Sequence, residues 1–460
     1  MTSARQLLVA ALAAATLAIT AAPAMPTGPD LSGYSWKPIY GATDTALANG
    51  TIYAIKSVGN DLYLGGDFTD FAGKNAADHL VHWNNTAQEW QGVGSVGEGD
   101  GAISAGSVRA IETSGNELYI GGDFTVTDYL GNPRVNLAHY NMGDPSFVGY
   151  WHSEWYGFDC LGCGTDLIAN GRVDTLFANT IDGGLYVGGT FTNAGATADY
   201  LIVGIYSACF TVLGACSEPP PHVSACGGVG IACAINVPNT WRKASDNADD
   251  GQALNEFVSS ISAHPDGGVI VGGNFTNAGG VTGANYLARF VGPYDSYAWV
   301  AQSGLPTATM YTTTNFEGTL YAAGWQGAYR RTAGTSWEEI CPSTLHTTGL
   351  NWTGLAVMSD SLVFVGSANG LYACNPTTGG ATQVLSSTAV VSLAVHNGEL
   401  IVAAGLSTGG LGDAGNYVAR YSADLPPTNR DANRNTNTTL LLIALAALTG
   451  LAGVQIRRRA

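Results

Sequence analysis

Repeated acids come first among the residues able to do chemistry. Asp67 and Asp123 stand at matching places in two copies of one motif, and carboxylates recurring in that way are one means of holding a cation. Two further copies carry Thr190 and Asn274 there, residues that share with Asp a capacity to bond the backbone at a turn rather than a charge, so a turn role is expected. Glu98 and Asp100 lack the regular oxygen-ligand spacing of a calcium loop. His79 and His82, three apart on an expected strand, point to opposite faces and make a poor metal pair. Cys160 and Cys163 form a C-x-x-C, but no second such pair follows at zinc-ribbon spacing and no βαβ context surrounds it, so a loop staple is expected. The chain has no G-x-S-x-G elbow, H-E-x-x-H or phosphate-binding loop. No cofactor or metal is therefore assigned. Carboxylate pairs for glycoside hydrolysis are defined by separation in space and stay open at this stage.

The elements that must position any site announce themselves by repetition. Leu62-Tyr63-Leu64-Gly65-Gly66-Asp67-Phe68-Thr69 returns as Leu118-Tyr119-Ile120-Gly121-Gly122-Asp123-Phe124-Thr125. It recurs from Leu185 to Thr192 and from Val269 to Thr276, and fainter copies lie at Leu320 to Gly324, Leu362 to Gly366 and Leu400 to Ala404. Before each comes an apolar run and often a turn of Gly-Asn or Asn-Gly type, such as Gly115-Asn116 and Asn397-Gly398, which together predict a hairpin. A third run follows, as in Leu80 to Trp83 and Leu287 to Phe290, and a fourth is marked by Trp90, Trp241, Trp299 or Trp337. Four antiparallel strands cannot cover both of their apolar faces alone, so the expected fold is all-β, a seven-bladed β-propeller over residues 25–424. The seventh unit lacks a fourth strand, and Tyr34 to Tyr40, with Trp36, is predicted to supply it and seal the ring beside Val418 to Tyr421.

The motif Val269 to Gly280 resembles the core of the delta-sixty repeat β-propellers, relatives of kelch-like propellers and of the repeat region in fungal cortical cell-polarity marker proteins. The resemblance spans about residues 34 to 424. It implies the fold and an extracellular setting, and carries no catalytic residues with it.

On this scaffold two groups of residues are candidates for binding. Alignment of the units by distance from the following motif puts Tyr53, Arg109, Asp174, Ser259, Tyr311 and Thr353 at one level beside the axis. Arg109 and Asp174, from adjacent blades, can pair there, whether to meet a ligand or to satisfy each other. Loops after the glycine motif should share a face with the connections between blades, and Phe71, Tyr129 and Tyr286 would give that face flat contact area.

Composition and chain ends suggest a setting. Arg5, an apolar run from Leu7 to Ala21 and Ala22-Pro23-Ala24 read as a signal peptide over residues 1–24. Residues 425–439 read as a polar linker that begins with a sortase-like Leu425-Pro426-Pro427-Thr428-Asn429, whose Asn429 stands where that pattern has Gly. Leu440 to Ile456 is expected to be a transmembrane or sorting helix, and the basic tail 457–460 would keep the body outside the cell. A net charge of −17 repels phosphate backbones, so nucleic acid is not an expected partner. The eight cysteines suit an oxidising compartment. Cys209 with Cys216, Cys226 with Cys233, and Cys341 with Cys374 are possible bridges, the first four residues lying in a blade insertion at 208–239 that is either a partner contact or a packed cap. Together these features lead to three readings: a monomeric cell-surface module that recognises or adheres to extracellular protein or glycan without catalysis, a polysaccharide hydrolase or lyase with its site in the channel, or a structural surface component. Missing catalytic motifs favour the first.

Overall fold

A computed structural model of the chain describes residues 28–41, 47–94, 102–127, 133–142, 151–152, 168, 170–179, 184–192, 200–205, 240–243, 254–291, 298–305, 307–331, 336–341, 352–404 and 418–424. Their strands form seven four-stranded antiparallel sheets. The innermost strands are Ile52–Val58, Ile103–Ser114, Val173–Asn179, Val258–Ala263, Met310–Phe316, Trp352–Ser359 and Val390–His396, taken here as blades 1 to 7. Each packs beside the next, and Ile52–Val58 also packs against Val390–His396, so the series closes on itself as a propeller.

The apolar pattern explains the stacking. Buried side chains fall into clusters that each lie between consecutive blades, and one of them joins Leu64 and Trp90 of blade 1 to Ile401 and Val418 of blade 7. Phe68, Phe191 and Phe275 of the repeated motif are fully buried, each worth about 1.5–3 kcal/mol relative to exposure. The expected turns are present: Asn397 and Gly398 have φ of 51° and 76°, the left-handed pair that matches strand twist in a tight hairpin.

Closure uses the N-terminal strand Tyr34–Pro38, which pairs with Val418–Ala423 and sets Trp36 opposite Tyr421. Their rings lie 4.9 Å apart. Glu399 is the hub of the seam: it accepts from Tyr40 Oη at 2.9 Å, Arg420 Nη1 at 2.7 Å and Ser422 Oγ at 3.0 Å. Arg420 also donates to the Pro38 carbonyl at 2.8 Å and lies over the Tyr40 ring. A further tie between blades 1 and 7 joins Ser57 Oγ and His396 Nδ1 at 2.7 Å.

Other expectations meet different outcomes. Cys341 and Cys374 form a disulfide between blades 5 and 6, with both residues buried. Cys160, Cys163, Cys209, Cys216, Cys226 and Cys233, with the insertion 208–239, the signal segment 1–24, the linker 425–439 and the tail 457–460, lie outside the described residues. The expected fold class, which included a membrane-crossing helix, is corrected on that point. Among the described residues no helix is long and apolar enough to cross a membrane, and 440–456 lies outside them.

Two outcomes test this account. Burial pushes the Glu399 carboxyl up, but its bonds from Arg420 and Tyr40 outweigh that and hold it below the ordinary glutamate value. A depressed pKa means the seam contributes fully above the unfolded-state value and loses its contribution as pH falls through the folded one. Glu399→Ala should cost about 2–4 kcal/mol at neutral pH in chemical denaturation and flatten the acid limb of the stability curve. Cys341→Ser should lower stability by about 2–4 kcal/mol in the same assay under non-reducing conditions.

Candidate binding face at the channel mouth

Every innermost strand carries a bulge at the same place. Register slips between Ile52 and Ala54, Val108 and Ala110, Val173 and Thr175, Val258 and Ser260, Met310 and Thr312, Trp352 and Gly354, and Val390 and Ser392. The residue left over is Tyr53, Arg109, Asp174, Ser259, Tyr311, Thr353 or Val391. A bulge re-aims its extra residue, so here it sets seven side chains at one end of the channel. Six are those aligned at one level from spacing; Val391 completes the ring.

The paired glycines permit this geometry. A Cβ on Gly66, Gly189, Gly273 or Gly324 would strike the carbonyl of the residue just ahead of its own inner strand, and on Gly122 that of Ser107, just before Val108. At Gly65, Gly121 and Gly188 it would strike the first inner-strand valine of the next blade. The residue after the second glycine then donates its N–H to the crossing carbonyl: Asp67 to Thr51, Thr190 to Arg172, Asn274 to Phe257 and Trp325 to Thr309.

The mouth is divided by charge. In blade 1, Tyr53 Oη donates to Asp67 Oδ2 at 3.1 Å, and Asp67 Oδ1 also accepts from the Thr51 N–H. In blade 2, Arg109 Nε donates to Asp123 Oδ1 at 3.1 Å while its guanidinium lies 4.2 Å from the centre of the Tyr53 ring. In blade 3, Asp174 takes Arg172 Nε at 2.6 Å and Nη2 at 3.3 Å. Burial raises the Asp174 carboxyl above its ordinary value, and Arg172 and Arg109 only partly offset it. Blades 4 to 6 instead offer Ser259, Tyr311 and Thr353. These three, with Tyr53 and with Thr175, Thr312 and Ser392 one step deeper, line a cavity of about 220 Å³. Ser259 Oγ donates to the Met310 carbonyl at 2.7 Å and Thr353 Oγ1 to the Val390 carbonyl at 2.6 Å, so each spans to the next blade.

Several sequence expectations are corrected. Arg109 and Asp174 do not pair; each has an opposite charge within its own blade, Asp123 and Arg172, and those are nearer than a neighbour across the ring. Phe71 gives no surface: it is fully buried, edge-on to Phe68 and Trp90, because the 3-10 turn Phe71–Gly73 folds it inward. Tyr286 is half-buried against blades 4 and 5 in a left-handed corner with φ 60°. Tyr129 lies outside the described residues. Asp67 sits at the bend after its strand and accepts from the Thr51 N–H, as a turn role requires, whereas Asp123 lies within the strand Glu117–Thr127 and accepts from the side chains of Ser107 and Arg109.

Two features were missed. Asn49, Asn170 and Asn255, ahead of blades 1, 3 and 4, donate from Nδ2 to Thr69, Thr192 and Thr276 and accept the same residues' N–H, clasping each motif to the incoming connection. Ala48-Asn49-Gly50 and Ala169-Asn170-Gly171 were the available signal. The second is Trp325, half exposed, which holds in blade 5 the place of Asp67 and Asn274.

No family model matches the chain, and no curated protein does. Among solved structures it is similar to YCF48 bound to D1 peptide, at 11% identity over 86% of this chain and 99% of that one, with a TM-score of 0.47. YCF48 from Cyanidioschyzon merolae aligns at 10% identity over 85% and 98%, with a TM-score of 0.46. The GH74 enzyme of Niastella koreensis aligns at 14% identity over 85% of this chain and 55% of that one, with a TM-score of 0.45. Likeness at this level assigns no chemistry to the mouth.

Arg172→Ala should raise the Asp174 carboxyl further, since it removes the largest influence opposing burial. A carboxyl-carbon NMR titration reads this directly, and an unchanged midpoint would refute the pairing.

Proposed function

We propose that the protein is an exported, monomeric, non-catalytic recognition module that meets extracellular protein or glycan with the bulge-lined mouth of its propeller. One observation carries the reading. The same backbone device recurs in every blade, yet the side chains it presents are Tyr53, Arg109, Asp174, Ser259, Tyr311, Thr353 and Val391. The fold requires the bulge and not those identities, so what they meet is free to choose them. A rigid closed ring bearing a varied set of polar groups is built to discriminate a ligand's shape and hydrogen-bonding pattern.

Other features support the setting. The Cys341–Cys374 disulfide suits an oxidising compartment, the N-terminal apolar segment suits export, and the resemblance to delta-sixty repeats suits the cell surface.

The test is to array the full exported chain against glycans and cell-surface extracts, with a product assay in parallel. Saturable binding without product release, weakened roughly tenfold or more by Tyr311→Ala, is the expected result. Product formation, or binding indifferent to Tyr311, overturns the reading.

A further inference from the structure

The mouth's uncharged side suggests what it holds. We infer that blades 4 to 6 bind the end of a neutral carbohydrate chain, with Trp325 as the stacking face and Tyr311 as a hydrogen-bonding edge. This rests on the recognition reading above and narrows it to one ligand class.

Position is the first argument. In blade 1 the residue after the second glycine meets the bulged side chain directly, Asp67 to Tyr53, and in blade 2 Asp123 meets Arg109 in the same way. Trp325 holds that place in blade 5, tied by its N–H to the Thr309 carbonyl at 2.9 Å, and the bulged residue of its blade is Tyr311. An indole therefore takes the chain position from which the earlier blades direct a carboxylate to the bulged residue. Trp325 is 50% exposed, and among the described residues Val300 alone joins it as an exposed large apolar side chain. An indole left half in water offers a flat apolar face to a partner that also brings polar edges.

Chemistry and size narrow the partner. On blades 1 to 3 the carboxylates of Asp67, Asp123 and Asp174 are already bonded within their own blades, so a charged ligand would have to break those pairs. On the other side, the Tyr311 hydroxyl has no hydrogen-bond partner among the described residues, and Ser259 and Thr353 keep oxygen lone pairs. Hydroxyl groups that both donate and accept, on a ring with apolar faces, match that set. A cavity of about 220 Å³ is smaller than the roughly 300–1,000 Å³ that encloses a drug-sized ligand, so the channel takes a chain end and leaves the rest over Trp325. Among the described residues, one exposed indole, with Phe71 buried and Tyr286 half-buried, is too little apolar area for the core of a protein interface of about 800 Å² per side.

The experiment is calorimetric titration of the full chain with neutral hexasaccharides: β-1,4-glucan, β-1,3-glucan, xylan, mannan and chitin oligomers. Acidic oligogalacturonate serves as the charged comparison. At least one neutral oligomer should bind, Trp325→Ala should weaken it roughly tenfold or more, Trp325→Tyr should keep most of the affinity, and Val300→Ala should leave it within about twofold. The inference is overturned if no neutral oligomer binds, if binding ignores Trp325→Ala, or if the acidic oligomer is preferred. A surface protein bound in a Tyr311-dependent manner while every sugar fails would overturn the carbohydrate assignment and leave the recognition reading standing. Absence of any Tyr311-dependent binding would overturn both.

Discussion

Where the chain crosses into blades 1 to 5, a backbone carbonyl passes so close to the second strand that a side chain on the second motif glycine has no room. At Gly66 the obstacle is the Thr51 carbonyl, at Gly122 that of Ser107 and at Gly189 that of Arg172. This crossing joins two levels of organisation. Within a blade it lets the following N–H bond the carbonyl, as Asp67 does with Thr51, and so fixes the start of the inner strand where the bulge forms. Between blades, the first glycine of the same pair accepts the next blade's inner-strand valine, Val108 against Gly65 and Val173 against Gly121. One dipeptide thus sets both the strand that faces the channel and the distance to its neighbour. Blades 6 and 7 keep the bulge at the same level with Gly366-Ser367 and Ala403-Ala404 in its place.

Closure imposes the second constraint. A ring of sheets has no free apolar face only when its ends meet, and here the meeting is made by a strand from the opposite end of the chain, with Trp36 against Tyr421 and Glu399 gathering Tyr40, Arg420 and Ser422. Polar groups suit this seam because they demand register. A one-residue slip of Tyr34–Pro38 would turn Trp36 away from Tyr421 and take the Tyr40 hydroxyl from Glu399 and the Pro38 carbonyl from Arg420.

Strand content, turn chemistry and the level of the bulges were readable in the sequence because each depends on short spacing. Gly115-Asn116 and Asn397-Gly398 are turns wherever they occur between apolar runs, and Trp90, Trp299 and Trp337 mark fourth strands that need only to be counted. What resisted reading depends on distance through space. Asn49 finds Thr69 across the depth of the mouth, and Phe71 turns inward because three residues adopt a 3-10 turn that brings it against Trp90. Arg109 had two acids within reach, and only coordinates show that Asp123 of its own blade wins over Asp174. Trp325 escaped because the fifth copy of the motif has faded to Ala322-Ala323-Gly324, so its equivalence to Asp67 rests on the bond to Thr309 and not on similarity of residues.

The division of the mouth follows from the same physics. A carboxylate beside a half-buried channel must be paired, and at Asp67, Asp123 and Asp174 the partner comes from the same blade, which makes that side of the ring self-contained. Neutral hydroxyls carry no such requirement: after Ser259 and Thr353 have each given one proton to the next blade, their oxygens can still accept. Half the rim is therefore closed by its own charges and half remains open to hydrogen bonding, though the backbone beneath is the same throughout. An asymmetric site arises on a nearly symmetric scaffold, and its direction is set by which blades keep their acids.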